Sequence, residues 1–267
     1  MKYINKSKEI IVNKYNDFNE DDRLTKSIKG QLEFFTTMHY ILKYLKPNSK
    51  ILEVGAGTGI YSLSLAKKGY QVNAIELVEK NVDILKQNIK LQKNKNIIAE
   101  QGDALDLTRF KDNTFDMVLV LGPLYHLFNK KDQNRAIDEA LRVCKTNGIV
   151  MFAFITDDSI VFNWGLHGHL KYMQENIFNK DYSLKQVPEE VFATFNIYNF
   201  EKLFKDKKIK KLHLISTDSI LETVTNNPNL IIDKEDFEIF KKYHLATCER
   251  VDLLGLASHL LYICKKI

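Results

Sequence analysis

The stretch ILEVGAGTGI, residues 51–60, constrains the fold of this chain more than any other. It places Gly55, Gly57 and Gly59 within five positions, directly after an apolar run. Glycine loses more backbone freedom on folding than any other residue, so three in close succession indicate that something approaches the backbone closely. The apolar run is typical of a buried strand and the residues after the loop are typical of a helix. A strand, a glycine turn and a helix in this order predict a ligand-binding turn in an α/β protein.

The residues around this turn alternate between short β-rich runs and helical stretches. Strands are predicted at 50–54, 71–75, 96–101, 115–121 and 148–155, and helices at 31–45, 60–68, 78–93 and 131–144. This alternation is the signature of βαβ units on a parallel sheet, with helices on both faces. The sequence therefore predicts a doubly wound α/β core over residues 31–155.

The remaining segments predict a single domain, 1–267, with additions to that core. Residues 1–30 are polar and charged, and they form either a flexible arm or a lid that orders on a ligand. Residues 156–198 break the βαβ rhythm and predict a cap insertion. Residues 199–267 predict a helix near 199–205, a strand at 209–216, a variable helical stretch at 217–247 and a last strand at 259–266.

Composition excludes several classes of protein. The 267 residues are 45% hydrophobic, but no window approaches 18 consecutive apolar residues, and the first ten residues contain no apolar signal core. We therefore expect a cytoplasmic protein without a membrane partner. The net charge of +5 comes from dispersed lysines, and no aromatic residues alternate with the densest cluster, KDKKIKK, so nucleic acid is not an expected partner. Three widely spaced cysteines predict buried thiols.

Details of the glycine loop narrow its ligand. A phosphate-binding P-loop needs Lys and Ser or Thr after the last glycine, where this chain has Ile60 and Tyr61. A dinucleotide fingerprint needs its third glycine one residue later than Gly59, so NAD binding is disfavoured. Glu53, two residues before the loop, would repel a pyrophosphate but suits a ligand with a positive end. S-adenosylmethionine carries an ammonium and a sulfonium and has no phosphate.

Two further acids follow the next two strands. Glu76 ends QVNAIE, 19 residues beyond Gly57, which is where a doubly wound sheet presents a carboxylate to ribose hydroxyls. Gly102, Asp103 and Ala104 follow the third strand, beside the expected adenine pocket. Each acid alone is commonplace, but three at successive strand ends favour an adenosine ligand.

The stretches LEVGAGTG, AIELV, GDALDL and FDMVLVLGPLYHL resemble motifs of the class I S-adenosylmethionine-dependent methyltransferases. The resemblance covers residues 31–155 well and the final strand pair more loosely. It implies a Rossmann-like, mostly parallel seven-stranded sheet with an antiparallel final pair and a helical cap. It also implies a cofactor site, in which the glycine backbone lies along methionine and ribose, Glu53 lies near the ammonium, Glu76 binds the ribose and Asp103 binds the adenine amino group. The expected cofactor-binding residues are Tyr40, Glu53, Gly55, Ala56, Gly57, Thr58, Gly59, Glu76, Leu77, Gly102, Asp103, Ala104 and Leu121.

The methyl acceptor should approach past the end of the fourth strand, at LGPLYHL. Methylases that act on base amino groups carry Asn or Asp there, then two prolines and an aromatic, and this chain has Gly122 and a single proline. His126 is a candidate general base, because an imidazole titrates near neutral pH, or it is a structural histidine that caps the following helix. Tyr125 is a weaker candidate base and could instead form a wall of the site.

The insertion supplies a second set of candidates. Trp164, His167 and His169 lie in FNWGLHGH, which is typical of a mobile flap over a small pocket, and they are candidate substrate-binding residues. Trp164 could instead pack within the flap's own core. The two histidines have no partner motif, so no metal is expected. Upstream, Thr37 and Tyr40 either reach the cofactor's carboxylate or edge the core.

Together these features predict methyl transfer from S-adenosylmethionine to an O, N or S atom of a small molecule, with S-adenosylhomocysteine as the product. The alternatives are a methyltransferase of RNA or protein and a catalytically silent module that only binds the cofactor. The sequence predicts neither the oligomeric state nor the identity of the acceptor.

Overall fold

A computed structural model of the chain describes residues 8–13, 15, 23–186, 192–225, 227 and 229–267. Its sheet has seven strands in the order β3-β2-β1-β4-β5-β7-β6. The strands are β1 (Lys50–Val54), β2 (Gln71–Glu76), β3 (Ile97–Gln101), β4 (Phe115–Val120), β5 (Cys144–Ile155), β6 (Ile209–Ser216) and β7 (His259–Lys266). Neighbours among β1–β5 are parallel, and β7 is antiparallel to both β5 and β6. The predicted mostly parallel sheet with an antiparallel final pair is therefore confirmed.

Helices cover the sheet and extend beyond it. They are α1 (Ile28–Tyr44), α2 (Ile60–Lys67), α3 (Glu79–Leu91), α4 (Lys130–Val143), α5 (Asp157–Asn163), α6 (Leu170–Asn176), α7 (Ile197–Lys202), α8 (Leu221–Val224), α9 (Lys234–Thr247) and α10 (Val251–Leu254). Short 3₁₀ turns occupy Pro123–His126 and Gly165–His167. Residues 8–13 and 15 are also helical, and we call them the N-terminal segment.

The core lies on both faces of the sheet. Leu52 and Val118 belong to one buried cluster, whereas their neighbours Ile51 and Met117 belong to another. Successive residues of a strand point to opposite faces, so a strand that is covered on both sides needs apolar residues at every position. This explains why the central strands are almost continuously apolar.

The strand order also determines where a ligand can bind. β1 lies between β2 and β4, and the direction in which the chain adds strands reverses at β1 and β4. A doubly wound sheet opens a crevice at this point, beyond the carboxyl ends of the strands. The glycine loop follows β1 and the Pro123–His126 turn follows β4, so both lie at this crevice.

Two elements begin three or more residues away from their predicted starts. α1 begins at Ile28, three residues early, because the Ser27 hydroxyl accepts a hydrogen bond from the Gly30 N–H at 3.1 Å and caps the helix. Gly30 is needed within that helix, since a Cβ there would lie 2.1 Å from the Arg23 carbonyl oxygen. β5 begins at Cys144 rather than at residue 148, and its pairing with β4 shifts register after the first residue pair.

The additions to the core fall partly outside the described residues, namely at 1–7, 14, 16–22, 187–191, 226 and 228. Within the described part, residues 156–186 form α5, a 3₁₀ turn and α6. Leu32 of α1, Leu221 of α8 and Phe237 of α9 form a small separate cluster, which joins the 217–247 region to α1. All three cysteines are buried and free, as predicted. No helix within the described ranges combines the length and the apolarity needed to cross a membrane.

Candidate active site

The loop after β1 uses the conformational freedom of its glycines. Gly55, Gly57 and Gly59 have φ angles of +76°, +54° and +92°, in the left-handed region that side chains disfavour. The N–H groups of Gly55 and Ala56 both donate to the Ile75 carbonyl, at 2.8 and 3.0 Å. These bonds hold the loop against the end of β2.

Two of the glycines also leave no room for a side chain. A Cβ at Gly55 would lie 2.8 Å from the Pro123 ring, and a Cβ at Gly59 would lie 2.2 Å from a methyl group of Leu85. Gly59 therefore allows α2 to start in close contact with α3. In a dinucleotide fingerprint the third glycine, which allows this packing, would stand at position 60. Here Gly59 allows it, so position 60 can be occupied by isoleucine.

Glu76 is tied to the glycine loop. One carboxylate oxygen accepts the Gly57 N–H at 2.9 Å, and the other accepts the Val78 N–H at 2.9 Å. The side chain is only 7% exposed, and it lies among the residues that line the cavity described below. The carboxylate is thereby held at the edge of the loop.

Glu53 is the most deeply buried acid of the site, at 1% exposure. Ser62, in the first turn of α2, donates its hydroxyl hydrogen bond to the Glu53 carboxylate. Burial raises the pKa of Glu53 from 4.5 to about 8, although the hydrogen bonds from Ser62 oppose the shift and the nearby Glu76 adds to it. A cation bound next to Glu53 would favour its ionised form.

Asp103 follows β3 and contacts the N-terminal segment. Its carboxylate forms an ion pair with Lys8 and accepts the Leu105 N–H at 2.9 Å. A residue far away in sequence therefore lies over the end of β3.

These groups surround a cavity of about 340 Å³, which we call the first cavity. Of the predicted residues, the following line it: Glu53, Gly55, Ala56, Gly57, Thr58, Gly59, Glu76, Leu77, Gly102, Asp103, Ala104, Leu121, Tyr125 and His126. Its described lining contains four carboxylic acids, Glu53, Glu76, Asp103 and Asp132, against the basic residues Lys8 and Arg23. Lys8 is paired with Asp103, and Arg23 with Glu33 at 2.8 Å. A lining with four carboxylic acids suits a cationic nucleoside better than a phosphate-containing one.

Sequence reasoning missed part of the lining. Lys8, Ile11, Tyr15, Arg23 and Leu24 belong to the first thirty residues and also line the first cavity. They carry no glycine or strand-end signal, and the polar, charged composition of the arm does not distinguish them from their neighbours. Their position fits the lid alternative for this arm, of which residues 1–7, 14 and 16–22 lie outside the described chain.

Tyr125 and His126 lie in the 3₁₀ turn after β4, as the sequence places them. The Tyr125 hydroxyl donates to the Leu121 carbonyl at 3.0 Å. His126 is 9% exposed, and its Nε2 lies 3.0 Å from the hydroxyl of Tyr15. The turn and the N-terminal segment therefore meet at His126.

The structure corrects the prediction that Tyr40 binds the cofactor. Tyr40 is not among the residues that line the first cavity; it is 3% exposed, and its hydroxyl donates to Glu249 at 2.7 Å. The same hydroxyl lies 3.4 Å from Cys248 Sγ. Thr37 is also buried and does not line the cavity. Both residues lie on sides of α1 that pack inside the protein.

Of the three predicted residues of the insertion, only Trp164 lines a cavity. Trp164 lines a second cavity of about 340 Å³, which shares Tyr15, Arg23 and Tyr125 with the first. His169 stacks on Trp164 with ring centroids 4.4 Å apart, and its Nδ1 lies 3.0 Å from the Trp164 carbonyl oxygen. His169 does not line either cavity, and His167 is exposed and lines neither. Within the described ranges, no group of three or more His, Cys, Asp or Glu side chains is placed to hold a metal.

Comparison with known proteins finds methyltransferase domains. Residues 52–152 match the family model of a methyltransferase domain. A putative methyltransferase, YqeM, from Bacillus subtilis is 33% identical over 109 residues, which are 40% of this chain and 43% of the relative. A ribosomal protein L11 methyltransferase from Thermotoga neapolitana is 26% identical over 161 residues, 56% of each chain. The chain thus spans about half the length of these curated relatives.

A solved structure shows the same fold. A SAM-dependent methyltransferase from Methanosarcina mazei superimposes with a TM-score of 0.57 at 18% identity, covering 85% of this chain and 97% of that one. The family-model match, residues 52–152, runs from within β1 into β5 and contains the glycine loop and the strand-end acids. Residues 52–152 of this chain are thus similar to a methyltransferase domain, and the fold is that of a SAM-dependent methyltransferase of known structure.

Proposed function

We propose that the protein transfers a methyl group from S-adenosylmethionine to an O, N or S atom of a small-molecule acceptor. The observation that carries the proposal is the first cavity, in which acids surround a glycine loop. The basic side chains of its lining, Lys8 and Arg23, already form ion pairs with Asp103 and Glu33. When bound, the cofactor supplies a methyl group on a positively charged sulfur, which is open to in-line displacement.

The side chains of the first cavity have distinct proposed roles. Glu53 faces the ammonium, Glu76 accepts the ribose hydroxyls, and Asp103 accepts the adenine amino group. The backbone of Ala56, Gly57 and Thr58 lies along the methionine and ribose of the cofactor. Leu77, Ala104 and Leu121 form apolar walls around the nucleoside. Gly102 packs closely on Ile75, because a Cβ there would lie 3.2 Å from the Ile75 side chain.

The small size of the acceptor is supported by the surroundings of the cavity. The N-terminal segment contributes Lys8, Ile11 and Tyr15 to its lining, and the second cavity adjoins it through Tyr15, Arg23 and Tyr125. A macromolecular acceptor needs an open surface, whereas two adjoining cavities of this size suit a cofactor and a small molecule.

A calorimetric titration with S-adenosylhomocysteine tests the cofactor step, with NAD and ATP as controls. Binding of the adenosyl ligand and no uptake of NAD or ATP is the expected result. Transfer of tritium from labelled S-adenosylmethionine into a metabolite extract then tests the methyl transfer. Uptake of NAD or ATP in place of the adenosyl ligand would contradict the proposal.

The alternatives give different results in the same two experiments. Tritium that enters RNA or ribosomal protein would indicate a macromolecular acceptor, as the name of the Thermotoga relative describes for that protein. Binding without transfer into small molecules, RNA or protein would indicate a silent cofactor-binding module.

A further inference from the structure

The second cavity lies next to the first and has a different chemical character. Tyr15, Arg23 and Tyr125 line both, so these side chains form the boundary between the two. Most of the rest of its wall comes from α1, from α5 and from the residues around the ends of β6 and β7. A methyl acceptor that occupied this cavity would lie beside the turn that follows β4.

The charged side chains in this wall have partners within it. Three acids line it: two are ion-paired with an arginine or a lysine, and the third is hydrogen-bonded to a histidine. The pairs are Arg23 with Glu33 at 2.8 Å, Lys29 with Glu222 at 2.5 Å, and His259 with Asp218 at 2.8 Å. An ionic acceptor would have to disrupt these pairs, so the wall favours an uncharged molecule.

Four aromatic side chains contribute to the same wall. Tyr15, Tyr125, Trp164 and Phe192 all line the cavity. Flat rings pack well against such side chains, in offset or edge-to-face arrangements. The wall therefore favours a planar acceptor.

Asp218 and His259 form a pair with the geometry of an oriented base. Asp218 is 1% exposed, and its carboxylate accepts the backbone N–H groups of Ser258 and His259, each at 3.1 Å. His259 Nδ1 lies 2.8 Å from the same carboxylate. A carboxylate partner keeps the proton on Nδ1 and leaves Nε2 as the basic atom of the ring.

We propose that the second cavity binds the methyl acceptor, that this acceptor is a small uncharged planar molecule with a phenol-like hydroxyl, and that His259, positioned by Asp218, removes the hydroxyl proton. The inference rests on the proposed methyl transfer. The hydroxyl oxygen bonds to the methyl carbon, the carbon–sulfur bond breaks with its electron pair on sulfur, and the proton goes to Nε2 of His259. The products are a methyl ether and S-adenosylhomocysteine.

The base assigned here differs from the one that the sequence favours. His126 Nε2 lies 3.0 Å from the Tyr15 hydroxyl, and His259 Nδ1 lies 2.8 Å from the buried Asp218 carboxylate. The rings of both histidines contact Tyr125, with centroid distances of 5.0 Å for His126 and 6.5 Å for His259. His259 is therefore close to the β4 turn although it is far from it in sequence.

The charges around His259 predict a pH dependence. Burial disfavours the charged ring, but Glu33 on α1 and Asp218 outweigh burial and the repulsion from Arg23, so the pKa of His259 is raised above 6.5. The value of kcat/KM for an un-ionised phenol should therefore rise with pH through an apparent pKa above 6.5. Asp218→Asn removes a negative charge and should lower this apparent pKa.

The test uses purified full-length protein, tritium-labelled cofactor and three acceptors: catechol, resorcinol and 4-nitrophenol. Methylation of at least one of them is expected. His259→Gln should lower kcat on catechol or resorcinol by about 10²- to 10⁴-fold, the usual contribution of a general base. The loss should be much smaller on 4-nitrophenol at pH 8.5, because this acceptor is then already ionised and needs no base. An unchanged S-adenosylhomocysteine affinity of His259→Gln shows that the variant is folded.

Three results would overturn the inference. They are full activity of His259→Gln, an equal loss on ionised and un-ionised acceptors, and the absence of methylation of all three acceptors by a protein that binds S-adenosylhomocysteine. The last result removes the acceptor class and leaves the proposed methyl transfer intact. Absence of S-adenosylhomocysteine binding would instead remove the proposed function itself.

Discussion

Glu76 connects the glycine loop to the proposed ribose site, so its removal should weaken cofactor binding. Glu76→Ala leaves the ribose hydroxyls without an acceptor and also breaks the bonds to the Gly57 and Val78 N–H groups. We expect the binding free energy of S-adenosylhomocysteine to fall by about 1–3 kcal/mol. Calorimetric titration measures this change. Glu79→Ala, three residues away and exposed, is the matched control and should bind normally. Equal affinity of the two variants would contradict the ribose assignment.

Glu53 predicts a dependence of stability on pH. Burial raises its pKa from 4.5 to about 8, so between these values the folded protein binds a proton that the unfolded chain has released. The free energy of unfolding should therefore fall as pH rises from 4.5 towards 8. Urea denaturation across this range measures the slope. Glu53→Gln removes the titrating group and should make the slope shallower, and identical slopes would contradict the assignment.

Gly59 and Gly69 form a natural pair for separating backbone strain from steric overlap. Both have a φ of +92°, but a Cβ at Gly59 would lie 2.2 Å from Leu85, whereas a Cβ at Gly69 meets nothing within 4 Å. Alanine at either site should cost about 1–2 kcal/mol through the left-handed backbone. Gly59→Ala should cost about 1–3 kcal/mol more, through overpacking. Urea denaturation of both variants measures the difference, and equal losses would mean that Leu85 moves aside freely.

Individual residues differ in how far the sequence reveals their position. Glu53, Glu76 and Asp103 were located correctly at the first cavity, because each lies at or near the end of a strand and the sheet brings those ends together. Tyr40 was assigned to the wrong environment, because helical spacing identifies a face of α1 but not what packs against it. Lys8 was missed, because its ion pair with Asp103 joins positions 95 residues apart.

At the scale of elements, α1 is held to the C-terminal part of the chain by Tyr40. Its hydroxyl donates to Glu249 at 2.7 Å, just beyond α9. Tyr40→Phe should lower the free energy of unfolding by about 1–2 kcal/mol, since a hydrogen bond to a charged but half-exposed group is lost. Tyr198→Phe, at an exposed ring, is the control and should be neutral. Both variants should bind S-adenosylhomocysteine normally, and weaker binding by Tyr40→Phe alone would restore the predicted cofactor role.

Elements with a strong local pattern were predicted well. β1, β6 and β7 have the predicted bounds, because apolar residues and flanking polar turns define both of their ends. The start of β5 was placed four residues late, because Asn147 and Gly148 resemble a loop while the sheet pairing already begins at Cys144. The order of α5, the 3₁₀ turn and α6 in the insertion was not predicted, since these short elements depend on caps such as Thr156 and on contacts with distant residues.

At the scale of the whole molecule, the distribution of charge predicts how salt affects activity. The net charge is +5, but the described lysine and arginine side chains that line the two cavities are paired with acids. Transfer to an uncharged small acceptor should therefore change by less than about twofold between low and moderate salt, because no counterions are released. An RNA held through 6–10 phosphates would instead lose about 10³- to 10⁵-fold in affinity between 50 and 200 mM salt. Measuring KM for the acceptor at both salt concentrations separates the two, and a steep loss would favour a nucleic-acid acceptor.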